Sequence, residues 1–425
     1  MPFMKLTLRL AVYLSSIAFF GLHAQTIEVV PNRVMTDESA SIRATGLPPN
    51  ERLAIRAELV DGADARWTSQ ADFVVDSQGR IDTSKQPAVA GSYLEVSSMG
   101  LIWSMMPSSS KTPRYLPPRG FGVQTIEFQL MRGSAQLASA RLEQIPVTEG
   151  VEQVSLHDGE LRGMLFLPPG KDRHPGVLVL GGSEGGMPSR RAAWLASHGF
   201  AALALAYFRY DDLPKELAGI PLEYFGHALN WMANRPQIAP DRIAVMGVSR
   251  GAELALQLAS MSPAIKAVVA YVPANVRYPA CCGFTSVPYA WTWEGRGLAF
   301  RPVRGGVGQE AMAMQAAIKV ELTGGPILLI SGKQDRVWDS SSMADSIVAR
   351  LKQFRFAHNV ELLKYPHAGH GAGRPEIAPA WQGPTRNPTS GRDVEMGGTP
   401  RGNAESSLDA ISKVIDFLQQ SLSAR

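Results

Sequence analysis

The stretch Arg242–Ser260, RIAVMGVSRGAELALQLAS, decides how the rest of the chain is read. Its first six residues are a short apolar run of the kind that forms a buried strand, and AELALQLAS carries the Ala and Leu of a good helix. Between them lies G-V-S-R-G. In a chain with 40 glycines that pattern arises easily by chance, so the pentapeptide alone says little. The strand before it and the helix after it make it a nucleophile elbow, a sharp turn that lifts a serine hydroxyl to the carboxyl end of a central strand. Gly247 and Gly251 let the backbone turn tightly and the helix pack close to the strand. Ser249 is then expected at a helix N-terminus, where backbone N–H groups stabilise developing negative charge.

A nucleophilic serine needs a base, and the base an orienting acid. PILLISGKQD ends in Asp335 just past a strand, and VELLKYPHAGH ends in His370 just past the next one. The chain order Ser, Asp, His is the one this class of hydrolase uses. Two corners have a competitor: Asp339 either opens the following helix or replaces Asp335, and His367 competes with His370, which the AGH turn favours. The backbone N–H of Arg250, with one from GGSEGG (181–186), is the expected oxyanion hole; Ser183 is the first donor in that loop and Glu184 the next, Glu184 also being a candidate substrate contact. The same loop lacks the Lys-Ser/Thr of a P-loop and the G-x-G-x-x-G of a dinucleotide site. With these groups His370 removes the Ser249 proton, the hydroxylate attacks an acyl carbonyl, and water or an amine takes the acyl group from the serine.

Outward from the elbow, GVLVLGG, AALALAY, KAVVAYV and NVELLKYP are further short apolar runs. They alternate with helical stretches such as RRAAWLASHG and PLEYFGHALNWMAN. That rhythm predicts an α/β-hydrolase fold over 151–425, a mostly parallel sheet covered on both faces. Residues 25–150 read differently: alternating stretches such as RLAIRAEL and QADFVV, separated by turns at VDGAD and DSQGR, predict a β-sandwich. Two stretches break the α/β rhythm. Residues 278–318, with Phe284, Trp291, Trp293 and the adjacent Cys281 and Cys282, either line an acyl pocket or pack as a loop on the scaffold. Residues 371–405 are expected as a long surface loop.

Composition narrows the function classes. Lys and Arg are scattered among 38 acidic residues for a net charge of +4, with no basic stripe such as nucleic acid requires. No His/Cys/Asp cluster has metal-ligand spacing. Two adjacent cysteines rarely meet disulfide geometry, so both are expected as thiols. Residues 1–24, with Lys5 and Arg9 ahead of an apolar run and Leu22-His23-Ala24 before Gln25, read as a signal peptide cleaved near Ala24/Gln25, and hence as an exported protein. That run is shorter than the roughly 20 residues needed to span a bilayer, and no later run is long enough.

The chain also resembles a known family, the acyl-CoA thioesterases and bile acid-CoA:amino acid N-acyltransferases. The likeness rests on IEVVPNRVMTDESASIRATGLPPNERLAIRAEL and AGSYLEVSSMGLIWSMMP in the first half, and on AALALAYFRYDDLPKEL, GVSRGAEL, SGKQDRVWDS and YPHAGH in the second. The resemblance implies a triad at Ser249, Asp335 and His370, an acyl thioester or ester substrate, and no cofactor or metal. Members that conjugate bile acids carry Cys at the nucleophile position, so Ser249 implies hydrolysis, with transfer to an amine or alcohol as the alternative. Export departs from the pattern, since an exported enzyme meets little CoA; a secreted carboxylesterase without CoA specificity is the reading that fits it.

Overall fold

The computed structural model describes residues 24–109, 114–283, 285–301, 309–386 and 391–423. Residues 1–23 of the expected leader, and Phe284, lie outside them. In the first half, strands Arg52–Val60 and Arg66–Val74 bury every second residue and pair antiparallel, with Leu53 opposite Phe73 and Leu59 opposite Trp67. Asp61 closes the turn between them. Its Oδ1 accepts the N–H groups of Ala63 and Ala65 at 2.9 and 3.0 Å, and its Oδ2 accepts the Trp67 indole N–H at 3.0 Å. These strands sit in a seven-stranded sheet that faces a three-stranded sheet built from Thr26–Val30, Ser41–Thr45 and Ile81–Asp82. Ile42, Leu53, Trp67, Phe73 and Phe128 fill the space between the sheets. Each such side chain contributes about 1.5–3 kcal/mol by leaving water.

The second half is one eight-stranded sheet: β1 (Glu152–Asp158), β2 (Leu161–Leu167), β3 (His174–Leu180), β4 (Ala201–Ala206), β5 (Ile238–Val248), β6 (Ile265–Tyr271), β7 (Ile327–Gly332) and β8 (Val360–Tyr365). Their spatial order is 1-2-4-3-5-6-7-8. Strand β2 runs antiparallel to both neighbours; every other pairing is parallel. Helices α1 (Ser189–Ser197), α2 (Glu223–Ala233), α3 (Arg250–Ala259), α4 (Ser340–Gln353) and α5 (Pro400–Ser421) connect and cover it. Alternation along β3 assigns the two faces: Leu178 and Leu180 enter one core, Val177 and Val179 the other. Strands β4 and β7 are buried at every residue, which is why they read as unbroken apolar runs.

Residues 371–405 do not form the expected surface loop. Ile377 and Ala380 are buried in the sandwich core, Ile377 N–H donates to Thr36 O at 2.7 Å, and Ala380 N–H donates to Trp103 O at 3.0 Å. Its described residues form a packed wedge between the two halves, with Ile377 and Ala380 in the sandwich core and Ala372 in a core of the second half. Asp37 joins the halves directly. Its Oδ2 accepts the Trp194 indole N–H at 2.8 Å and lies 2.7 Å from His198 Nε2 on the far side of the seam. No helix among the described residues is long and apolar enough to cross a membrane.

Candidate active site

The turn after β5 holds Ser249 at φ 55°, ψ −119°, a backbone conformation that a side chain adopts only where its surroundings impose it. The two glycines are what permit this. A Cβ on Gly247 would run into the Gly251 carbonyl, and one on Gly251 would run into the carbonyls of Leu180 and Gly181. Ser249 N–H donates to Tyr271 O at 2.9 Å, which fixes the elbow to the end of β6.

His370 and Asp335 arrive from the loops after β8 and β7. Ser249 Oγ is 2.9 Å from His370 Nε2, and His370 Nδ1 is 2.8 Å from Asp335 Oδ2. Asp335 is almost wholly buried, so its charge depends on donors. Ser340 Oγ donates to Oδ2 at 2.7 Å, and Oδ1 accepts the N–H groups of Val337 and Trp338 at 3.0 and 3.3 Å. The Trp338 ring meets the His370 ring edge-on at 5.8 Å, while its indole N–H donates to Val272 O at 3.1 Å. From the other side, His370 N–H donates to Met396 O at 2.7 Å and Gly369 N–H donates to Asn403 Oδ1 at 2.9 Å. Short bridges pair Asp335 with Gly397 and Ala368 with Gly398.

The competitors stand elsewhere. Asp339 caps α4, accepting the Ser342 N–H at 3.0 Å, and the Ser342 hydroxyl together with that N–H holds its carboxyl below the usual carboxylate range. His367 is exposed and offers only its carbonyl, to Thr399 N–H at 2.9 Å. Ser183 and Glu184 line the same cleft as Ser249 and His370, a space of about 950 Å³ with its open mouth included. Arg250 is the first residue of α3, where a backbone N–H has no acceptor within its own helix.

Three expectations need correcting. Trp291 does not line the cleft: it is buried against Tyr207 and Phe225, and its indole N–H donates to Glu253 Oε1 at 2.7 Å. Trp293 belongs with it to a small sheet that includes Ile220–Pro221, and is turned to solvent. The cause is Glu253, on the apolar helix AELALQLAS. Burial raises its carboxyl above the usual range, and Trp291, Tyr278 N–H and Arg250 surround it. The Arg250 guanidinium is drawn the same way, donating to Pro279 O and Tyr278 O. Cys281 and Cys282 are joined to each other and are not thiols; Cys282 takes φ 80°, and that left-handed turn brings adjacent sulfurs together. The bridge closes only its own turn. Sequence reading missed Glu253, Ser340, Trp338 and Asn403; a lone acid inside an apolar helix was the one available signal.

Among the described residues no group of three or more His, Cys, Asp or Glu could hold a metal ion. A serine, an imidazole and a buried carboxylate in series can take a proton from the serine and return it to a leaving group. The strand order, with this serine at the turn after the fifth strand, defines an α/β-hydrolase with a second, sandwich domain. The particular family is shown by comparison. Residues 37–158 match the acyl-CoA thioester hydrolase/BAAT N-terminal region, and residues 220–284 and 306–424 match the BAAT/acyl-CoA thioester hydrolase C terminal. The chain belongs to that family. It is 33% identical to acyl-coenzyme A thioesterase 6 of Mus musculus, over 94% of this chain and 97% of the relative. It is 32% identical to acyl-coenzyme A amino acid N-acyltransferase 1 of Mus musculus, over 92% and 96%. Among solved structures, a thermostable carboxylesterase cloned from a metagenomic library is 16% identical, with a TM-score of 0.43 over 66% of this chain and 92% of that one.

Proposed function

We propose that the protein is a serine acyl hydrolase that cleaves acyl thioesters or esters through an acyl-Ser249 intermediate. His370 acts as general base and then general acid, Asp335 fixes its tautomer, and the N–H groups of Arg250 and Ser183 hold the oxyanion. The observation that carries this reading is the relay of 2.9 and 2.8 Å from Ser249 Oγ through His370 to Asp335 Oδ2. Membership of a family that includes thioesterases supports thioesters as the substrate class. The deciding experiment is steady-state hydrolysis of matched acyl-CoA thioesters and p-nitrophenyl esters, with Ser249→Ala alongside. The variant is expected to lose at least about a thousandfold in kcat with its Tm nearly unchanged; retained turnover would remove Ser249 from the mechanism.

Acyl transfer to an amine is the second reading, favoured by the N-acyltransferase relative. Product analysis with and without glycine separates the two. Export, with the mature chain beginning at Gln25, rests on residues 1–24 alone and is tested by N-terminal sequencing of protein recovered outside the cytoplasm.

A further inference from the structure

Three arginines from three distant parts of the chain converge on the cleft that Ser249 opens into: Arg114 from the sandwich, Arg191 from α1, and Arg374 from the wedge segment. Arg191 lies over the ring of Tyr271, with its Cζ 4.4 Å from the ring centre, and the Tyr271 carbonyl is the one that accepts the Ser249 N–H. Its Nη1 is shut from solvent and has no hydrogen-bond partner among the described residues. Arg114 is half-buried; burial and the like charge of Arg374 both pull its pKa below the ordinary arginine value. Among the described residues no carboxylate lies within ion-pair distance of these three guanidiniums, and Glu184 and Glu376 reach Arg114 only through the longer-range field. Arg386, at the rim, differs: it is exposed and sits 3.6 Å from Asp393.

Cations brought together and withdrawn from water without counter-charges are costly. A fold holds them this way where an anion completes the set, and planar guanidiniums match a carboxylate in a bidentate fashion. We infer that Arg114, Arg191 and Arg374 form a subsite for an anionic group on the acyl half of the substrate, so that the enzyme prefers acyl groups ending in a carboxylate. The inference rests on the acyl hydrolase reading of Ser249. The acyl half is indicated by place: the arginines line the same cleft as the nucleophile, whereas the phosphates of a CoA leaving group stand beyond the whole pantetheine arm.

The test uses two thioesters of N-acetylcysteamine, hexanoyl and adipoyl, which have the same chain length and differ in a terminal carboxylate. In the native protein, kcat/KM is expected to favour adipoyl at least tenfold, and the ratio is expected to fall towards one in Arg114→Gln and in Arg374→Gln. Because each ratio is taken on one preparation, partial unfolding cancels. A native ratio at or below one, or a ratio unmoved in both variants, overturns the proposal. If the variants instead lower the preference for hexanoyl-CoA over hexanoyl-N-acetylcysteamine and leave the adipoyl ratio alone, the anion is a leaving-group phosphate and the acyl assignment is wrong. Calorimetric titration of Ser249→Ala with adipate, with hexanoate as control, needs no turnover: adipate binding at least tenfold tighter supports the subsite, and equal or undetectable binding overturns it. Loss of all thioester turnover in native protein would sink the hydrolase reading, and the titration would still decide the subsite.

Discussion

At the scale of single residues, the relay depends on groups that never touch a substrate. Asp335 Oδ2 serves two donors, His370 Nδ1 and Ser340 Oγ, so the hydroxyl fixes which way the carboxylate faces. Ser340→Ala removes one charge-assisted bond and lets the carboxylate turn. A fall of about tenfold in kcat with KM unmoved is expected, since the loss lies in orientation and not in binding; steady-state kinetics would expose an error as an unchanged kcat. Ser249, Asp335 and His370 were legible because each stands at the end of a recognisable apolar strand. Ser340, Trp338 and Asn403 were not, because a hydroxyl or indole in a loop acquires a role only from what folds against it. The cysteine pair was misread for a related reason: the rule for adjacent cysteines presumes an ordinary backbone, and Cys282 departs from it.

Among elements, the chemistry of α3 is more surprising than its shape. AELALQLAS was readable as a helix, yet its Glu253 reaches the core and commits Trp291 to structure. Trp291→Phe leaves Glu253 Oε1 short of a donor, which costs about 1–3 kcal/mol. Calorimetry should show a Tm lower by several degrees while KM for short acyl substrates stays put; a raised KM at native Tm would return Trp291 to the cleft. In the sandwich, Asp82 ties two strands of the small sheet together. Burial raises its pKa, but Ser84 and Ser41 hydroxyls, the Ser84 N–H and the charge of Arg43 outweigh this and bring it down to about 2. A carboxyl depressed in the folded state contributes stability that is complete above its unfolded pKa and lost as pH falls through the folded one. Acid unfolding should therefore show extra steepness between about pH 4 and pH 2, and Asp82→Asn should remove it.

For the molecule as a whole, the two halves were separable in the sequence by their hydrophobic periods, two residues in one and strand–helix alternation in the other. How they meet was not, because a seam is made by side chains far apart in the chain. Asp37 accepts the Trp194 N–H across that seam and lies against His198. Asp37→Ala leaves a buried indole N–H without an acceptor, a penalty of about 1–3 kcal/mol. Scanning calorimetry should then show one transition broadening or splitting into two as the halves uncouple; a single unbroadened endotherm would mean that the wedge and the other seam contacts, among them Arg190 to the Pro118 and Gly120 carbonyls, hold them without Asp37.

The clamp behind His370 also couples the base to the distant sandwich. Its pieces, Met396, Gly397, Gly398 and Asn403, belong to the same wedge whose Ile377 and Ala380 are buried in the sandwich core. Asn403 joins the two ends of that wedge, accepting the Gly369 N–H with its Oδ1 and donating through Nδ2 to Ala380 O at 3.4 Å. A loosening of the sandwich is thus transmitted to the position of the histidine, and a domain remote from the reacting atoms becomes part of the aim of the base.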